Sequence, residues 1–123
     1  MPNIIQTLSI NDDRIQGENV MISRHWRGLV KPDRAADYEE HLQTETIPSA
    51  SQITGFLGAD IFKRALENGI EFVVISRWAS ADAIAMFAGA DVEAAVIPVE
   101  IESMMIDYDR RARHYECIEF RSQ

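Results

Sequence analysis

The chain has 123 residues, with an apolar share of 46% and a charged share of 26%, which is the composition of one soluble globular domain. Twelve basic residues against twenty acidic ones give a net charge of −8. This charge excludes nucleic acid and anionic membranes as main partners, because both require a cationic protein face.

The first part of the chain is predicted to be an arm that precedes the folded domain. Residues 1–19 contain one short candidate strand, "IIQTLSI", between the turn-forming stretches "NDD" and "GEN". The domain itself is expected over residues 20–120, and residues 121–123 are a C-terminal tail.

The first strand is predicted over residues 19–30, "NVMISRHWRGLV", which is rich in β-branched and aromatic residues. "KPD" ends this strand, and Pro32 suits the first turn of a helix because that turn does not use its missing N–H. Ala35, Tyr38 and then His41 or Leu42 recur at helical spacing. The helix is therefore expected to run to about residue 47 and to stop near Pro48.

A β-hairpin is predicted next, with strands in "FLGADIFKRA" and "EFVVISRW" joined at Asn68-Gly69. The Asn-Gly pair is a strong hairpin signal, because a type I′ turn needs positive φ at both central residues. This turn would place Asp60 opposite Arg77 as a pair of opposite charge. Strand alternation separates two apolar faces, with Phe62, Val73 and Ile75 on one and Ile61, Phe72, Val74 and Trp78 on the other.

The second helix is expected to begin after Ser80, a good N-cap residue, and to end at Gly89. Asp91 is predicted to open a further short helix in "VEAAVI". "IESMMIDYDRRA" then favours a short helical turn followed by an extended stretch. The last strand, "RHYECIEF", is expected over residues 113–120.

The strand ending "ISRHW" at residues 22–26 returns as "ISRW" at residues 75–78. The order strand–helix–strand therefore occurs twice, which is typical of an α+β, ferredoxin-like fold. Such a repeat gives a four-stranded antiparallel sheet in the order 4-1-3-2, with both helices on one face. Because the bare face also carries large apolar groups, we expect a homodimer in which this open sheet face meets a second copy.

Four runs of the chain, "ISRHWRGLVKPDRAADYEEHL", "GFLGADIF", "EFVVISRWASADAIAMFAGADVEAA" and "HYECIEF", resemble the antibiotic biosynthesis monooxygenase domain family. The resemblance covers about residues 20–120 and implies a dimeric α+β barrel. The family includes cofactor-free oxygenases, haem-degrading enzymes and members without a known activity.

The resemblance disfavours haem degradation. In the haem-degrading members an asparagine on strand one, a tryptophan on strand three and a histidine on the second helix line the pocket. Carried over by position, the tryptophan matches Trp78, the asparagine position falls at Trp26, and the histidine position falls near Ile97. The amide and the iron-ligating imidazole are therefore both missing from the positions that the resemblance assigns to them.

The candidate ligand-binding residues are aromatic groups near the two repeated strand ends. Trp26 and Trp78 are either core residues or walls of an apolar pocket between helices and sheet, where they could flank a flat ligand and each donate an indole N–H. Phe87 and Tyr38 would complete this substrate-binding pocket. Arg24 would either stabilise an anion there or pair with one of the many acids.

Two of the three histidines are the candidate catalytic groups. His41 lies beside Tyr38 on the inward stripe of the first helix and is either a hydrogen-bonded core group or a general base. His114 is the second choice as base, and it could approach His25 because their strands are neighbours. Three histidines without ligand spacing do not predict a metal site, and no glycine-rich phosphate loop predicts a nucleotide cofactor.

These residues lead to one functional hypothesis and one alternative. A cofactor-independent monooxygenase resembling this family must deprotonate a small aromatic or polyketide-like compound so that its anion can react with O₂. The alternative is a non-catalytic small-molecule-binding or accessory dimeric domain. The single Cys117 cannot form a disulfide within the chain, and no signal peptide or membrane-length apolar run is visible, so a cytoplasmic location is expected.

Overall fold

Strand β1 (Met21–Val30) lies at the centre of an antiparallel sheet in a computed structural model that describes residues 20–120. On one side β1 pairs with β3 (Gly69–Trp78), which pairs in turn with β2 (Phe56–Leu66). The predictions for the arm at 1–19 and the tail at 121–123 lie outside the described residues.

The other edge of β1 carries two short strands, β4 (Met105–Tyr108) and β5 (Arg113–Cys117). The sheet therefore has five strands in the order β2-β3-β1 followed by β4 and β5 on the same edge. The predicted order 4-1-3-2 and the ferredoxin-like α+β fold are confirmed, with the fourth strand divided in two. The predicted last strand, 113–120, is shorter in the structure.

The first helical segment is longer than predicted. A 3₁₀ turn (Pro32–Arg34) leads into α1 (Ala35–His41), a π-helical turn (Leu42–Thr46) and α2 (Ile47–Ser51). The prediction that the helix stops near Pro48 is wrong. The Ile47 N–H bonds the Leu42 carbonyl five residues back, and this wider turn accommodates a proline that a regular α-helix would not.

The hairpin between β2 and β3 turns one residue earlier than predicted. Leu66 pairs with Gly69, so Glu67 and Asn68 form the turn, and Asp60 lies opposite Ile75 rather than Arg77. Gly69 is buried in the strand, where an added Cβ would lie 2.8 Å from the Val30 carbonyl oxygen. Glycine at this position therefore allows close packing against β1 and is not part of the turn. The predicted ion pair still forms diagonally, with 2.9 Å between Arg77 Nη1 and Asp60 Oδ2.

Helix α3 (Ala81–Ala88) begins and ends as predicted. The Ser80 hydroxyl accepts a hydrogen bond from the Ala83 N–H at 3.1 Å, and Gly89 ends the helix with a φ of 91°. The helix predicted in "VEAAVI" is wrong, because residues 92–97 are not helical. Ala94 instead forms a β-bridge with Arg111. A short α4 (Val99–Glu102) follows and β4 comes next, as predicted.

Two hydrophobic clusters form the core on the helix-covered face of the sheet. The first packs Phe72 of β3 against Tyr38 and Leu42 of the long helical segment. The second packs Trp78, at the other end of β3, against Ile84 of α3. Phe72, Trp78 and Ile84 are fully buried, so the face predicted for Phe72 and Trp78 is confirmed.

The opposite face of the sheet has no helix against it in the described part of the chain. Phe62 is 52% exposed there, beside half-buried Val73 and Ile75, as the alternation predicted. His25 also lies on this open face, with its ring 4.8 Å from that of Tyr115. The two histidines do not approach each other as expected, because His114 pairs with Arg24 and so lies on the helix-covered face.

Candidate functional site

A cavity of about 70 Å³ lies where the two hydrophobic clusters meet, between the sheet and the helices. Five aromatic side chains form much of its wall: Trp26, Tyr38, Phe56, Trp78 and Phe87. Four polar side chains also line it: Arg24, His41, Thr46 and Ser76. An apolar cavity with a few converging polar groups is the usual form of a small-molecule site.

Six of the seven residues selected from the sequence meet at this cavity: Arg24, Trp26, Tyr38, His41, Trp78 and Phe87. Only His114 is absent from the wall. Ile97, which the resemblance places near a histidine position of haem-degrading proteins, also lines the cavity.

Trp78 forms one end of the cavity and is fully buried. Its ring lies between Phe56, at a centroid distance of 5.1 Å, and Phe87, at 5.6 Å. Its indole N–H donates to the Ser76 hydroxyl at 2.9 Å. Trp78 is therefore both a core residue and a cavity wall, and its N–H already has an acceptor within the protein.

Trp26 forms the other end and folds back over its own strand. An added Cβ on Gly28 would lie 2.5 Å from Cη2 of the Trp26 ring, so this conformation requires glycine at position 28. The Trp26 indole N–H donates to the Asp109 carbonyl at 2.8 Å. Because both indole N–H groups are used inside the protein, the expectation that they donate to a ligand is wrong for this conformation.

Arg24 is 5% exposed and fastens the loop that closes the cavity. Its guanidinium donates to the Val92 carbonyl at 2.6 Å and to the Ala94 carbonyl at 2.8 Å, and it lies 5.7 Å from the centre of the Phe87 ring. Burial lowers the pKa of Arg24, and the nearby Glu93 carboxylate opposes that shift. Neither sequence alternative, an anion or an acidic partner, describes these contacts, since two of the three hydrogen bonds of the guanidinium go to backbone carbonyls.

His114 completes the Arg24 network behind the cavity wall. Its Nε2 lies 2.8 Å from Arg24 Nη1 and must accept that hydrogen bond, because arginine has only donors. The proton then belongs on Nδ1, which lies 3.9 Å from the Glu93 carboxylate. Burial and the charge of Arg24 lower the pKa of His114, so the neutral form is favoured.

Tyr38 and His41 occupy successive turns of the same helical segment. Tyr38 is 4% exposed, and its ring lies edge-on to Phe72 at 5.0 Å and stacks with the His41 ring at 6.4 Å. Among residues 20–120 its hydroxyl has no hydrogen-bond partner, and burial raises the pKa of this phenol well above its ordinary range. His41 is half-buried, and it makes neither a hydrogen bond nor an ion pair with the described residues.

Sequence reasoning did not select three side chains of the wall, Thr46, Phe56 and Ser76. Ser76 lies between Val74 and Trp78 on the same face of β3, so strand alternation alone could have found it. It also missed the loop that carries Val96 and Ile97, because these residues were predicted to be helical.

Residues 20–120 contain neither a group of metal-binding side chains nor a membrane-spanning helix. No group of three or more histidine, cysteine, aspartate or glutamate side chains in this range is placed to hold a metal ion. None of the helices described here has the length and apolar character needed to cross a membrane.

Comparison with known proteins gives a family match. The family model described as antibiotic biosynthesis monooxygenase matches residues 21–95, which is more than half of the chain. No curated protein matches the chain.

Solved structures agree with the fold. A provisionally named antibiotic biosynthesis monooxygenase from Bacillus cereus is 18% identical, with 85% of this chain and 99% of that chain covered and a TM-score of 0.58. One from Caulobacter crescentus is 18% identical, with 87% of this chain and 97% of that chain covered and a TM-score of 0.61. A third, from Nitrosomonas europaea, is 14% identical, with 82% of this chain and 93% of that chain covered and a TM-score of 0.61. At these identities the likeness shows the fold alone.

Proposed function

Because this chain belongs to the antibiotic biosynthesis monooxygenase family, we propose that it oxidises a small aromatic or polyketide-like compound with O₂ and without a cofactor. The observation that carries this proposal is the cavity at the meeting of the two clusters. Its aromatic walls, including Trp26 and Trp78, suit a flat ring, and His41 is a titratable base beside the same space.

In the proposed reaction, His41 removes a proton from the substrate, a phenol or the tautomer of a phenol with a CH₂ group. The resulting anion passes one electron to O₂, and the radical pair combines to form a carbon–oxygen bond. Protonation gives a hydroperoxide, which loses water and leaves a carbonyl group. One oxygen atom enters the product and the other leaves as water with the two substrate hydrogens, so no further reductant is needed.

The size of the cavity limits the substrates that fit without rearrangement. Its volume of about 70 Å³ holds several waters but is smaller than the roughly 150 Å³ of an engineered cavity that binds benzene. A single ring therefore requires either a part of the ligand to extend from the cavity or a small outward shift of the wall. The part of the wall placed to make this shift is the loop with Val96 and Pro98, because it lies outside helices and strands and Val96 is 43% exposed.

The test of the proposal is oxygen consumption by the full chain with a panel of phenols, hydroquinones, naphthols and anthrones. We expect at least one compound to consume one O₂ per carbonyl product without release of hydrogen peroxide. Ala59→Leu, which fills the cavity from β2, should abolish the reaction. Ala65→Leu, on the same strand but outside the cavity wall, should not. Background rates with every compound would refute the monooxygenase.

One observation favours the alternative of a binding domain without turnover. Catalytic imidazoles are usually oriented by a hydrogen bond to a carboxylate or carbonyl, and His41 has no such partner among residues 20–120. Saturable binding of a panel compound without oxygen uptake would select this alternative.

We further propose that the open sheet face pairs two copies of the chain into a dimeric barrel. Phe62, Val73 and Ile75 give this face an apolar centre. Glu71, 8% exposed, lies among them and pairs with Arg27 and Arg64 at 2.5 Å, so its charge is already neutralised. Two such sheets packed about 10 Å apart would remove the apolar centre from water.

Phe62→Glu is expected to convert the dimer into a monomer, because it would place an unpaired carboxylate at the centre of that interface. Sedimentation should give about twice the 13.9 kDa of one chain for the wild type and a single chain for the variant. Met86→Glu is the matched control, since Met86 is 76% exposed on α3, away from the sheet face. A wild-type monomer at micromolar concentration would refute the pairing.

The location that we propose is the cytoplasm. It depends on the single cysteine, Cys117, which is a free, half-buried thiol of β5. Proteins of oxidising compartments commonly pair their cysteines, and a chain with one cannot do so internally.

A further inference from the structure

Tyr38 carries the least satisfied buried polar group of the cavity wall. The residue is 4% exposed, and its hydroxyl has no hydrogen-bond partner among the residues that the structure describes. A buried hydroxyl without a partner is unfavourable, and native proteins satisfy nearly all such groups with protein, water or ligand. The space that Tyr38 borders is the cavity, so its partner is expected there.

We propose that Tyr38 is the hydrogen-bond donor that selects among aromatic ligands, favouring those with an oxygen placed to accept from its hydroxyl. The proposal rests on the cavity as the ligand site of the proposed function and adds the residue that determines specificity there. The other polar groups do not serve this purpose equally well. Arg24 directs three of its five N–H groups to two carbonyls and His114, and both indoles donate to protein oxygens. Thr46 and Ser76 are only half-buried, so water can satisfy their hydroxyls more easily than that of Tyr38.

The position of Tyr38 also connects the donor with the proposed base. The Tyr38 and His41 rings stack with 6.4 Å between their centroids, so one ligand can contact both. Burial keeps the Tyr38 phenol protonated at ordinary pH, so it remains a donor while His41 takes a proton. A negative charge that develops on the ligand oxygen then meets a fixed donor in an apolar site, where such a hydrogen bond is strongest.

The test compares two ligands of similar shape in two proteins. Acetophenone offers a carbonyl oxygen, and ethylbenzene has a CH₂ group in its place. Calorimetric titration of wild type and Tyr38→Phe gives four dissociation constants. The ratio of the two affinities, acetophenone over ethylbenzene, is taken for each protein, and the wild-type ratio is divided by that of the variant. This double ratio isolates the contact between the hydroxyl and the oxygen, because differences in hydrophobicity cancel. We expect the preference for acetophenone to be about tenfold larger in wild type than in the variant.

A second measurement excludes a structural role for the hydroxyl. Tyr38→Phe should change the Tm by less than about 2 °C, because no hydrogen bond within residues 20–120 is lost. Tyr115→Phe, at an exposed tyrosine on the open face, is the matched control and should leave the double ratio unchanged.

The inference and the proposed function fail in different ways. A double ratio near one, or a Tm loss of about 4 °C or more in Tyr38→Phe, would overturn the role of Tyr38 whether or not oxygen is consumed. A tenfold ratio without oxygen consumption would support the donor and reject the monooxygenase. Failure of both ligands to bind wild type would overturn the inference together with the cavity as a ring-binding site.

Discussion

Replacing His41 with glutamine is expected to lower the rate of oxygen consumption by about 10²- to 10⁴-fold, the usual contribution of a general base. Glutamine has a similar size and remains polar, but it cannot take up the proton that starts the proposed reaction. His41 makes no hydrogen bond or ion pair with residues 20–120, so the stability of the variant should stay close to that of wild type. The loss would therefore be one of chemistry rather than of folding.

The measurement is the initial rate with the best compound of the oxygen-consumption panel, together with a thermal denaturation curve. Glu40→Gln is the matched control, because Glu40 is the exposed neighbour of His41 on α1 and does not line the cavity. The control should keep the wild-type rate. Equal rates for His41→Gln and wild type would show that His41 is not the base, even if the protein is a monooxygenase.

Replacing Arg24 with methionine is expected to destabilise the fold by about 3 kcal/mol, because several buried acceptors would lose their donor. Methionine keeps much of the length of the side chain but cannot donate to the Val92 and Ala94 carbonyls or to His114. The loop after α3 would lose its attachment to β1 and keep its backbone bonds to the turn after β4, so the cavity wall at Ile97 would be held less firmly. Ligand affinity should therefore fall together with stability.

Urea denaturation of wild type and Arg24→Met gives the difference in their unfolding free energies. Arg77→Met is the matched control, since Arg77 pairs with a largely exposed Asp60 and should cost less than about 1 kcal/mol. The stability loss of Arg24→Lys should lie between those of Arg77→Met and Arg24→Met, because one ammonium group cannot make all the hydrogen bonds of a planar guanidinium. Unchanged stability of Arg24→Met would show that water replaces the guanidinium and that the loop does not depend on it.

Several features of the fold followed from local patterns in the sequence. Alternation in β3 correctly placed Phe72 and Trp78 on the covered face, because side chains of a strand point to opposite sides at every second position. Ser80 and Gly89 marked the ends of α3, because their roles depend on backbone groups within one helical turn. The repeat of "ISRHW" and "ISRW" predicted the strand order through the twofold arrangement of its elements.

Two incorrect predictions, the hairpin turn and the helix at residues 92–97, follow from contacts between distant residues, and a third, at Pro48, has a local cause. Asn68-Gly69 looked like a turn, but Gly69 is small because Val30, far away in the chain, lies directly against it. Residues 92–97 had the pattern of a helix, but Arg24 and the turn after β4 bind their backbone in a turn followed by an irregular stretch. Pro48 continues a helix because the π-helical turn before it widens the backbone.

The sequence by itself therefore determined the strands β1, β2, β3 and β5, the two caps of α3, the buried faces and six of the residues around the cavity, since each depends on periodicity or on neighbours within a few positions. Only the tertiary structure decided the hairpin register, the loop that closes the cavity and the partners of Arg24, Trp26 and Trp78. The physical reason is that a hydrogen bond or a close approach between residues 68 or 83 positions apart leaves no periodic trace in the chain.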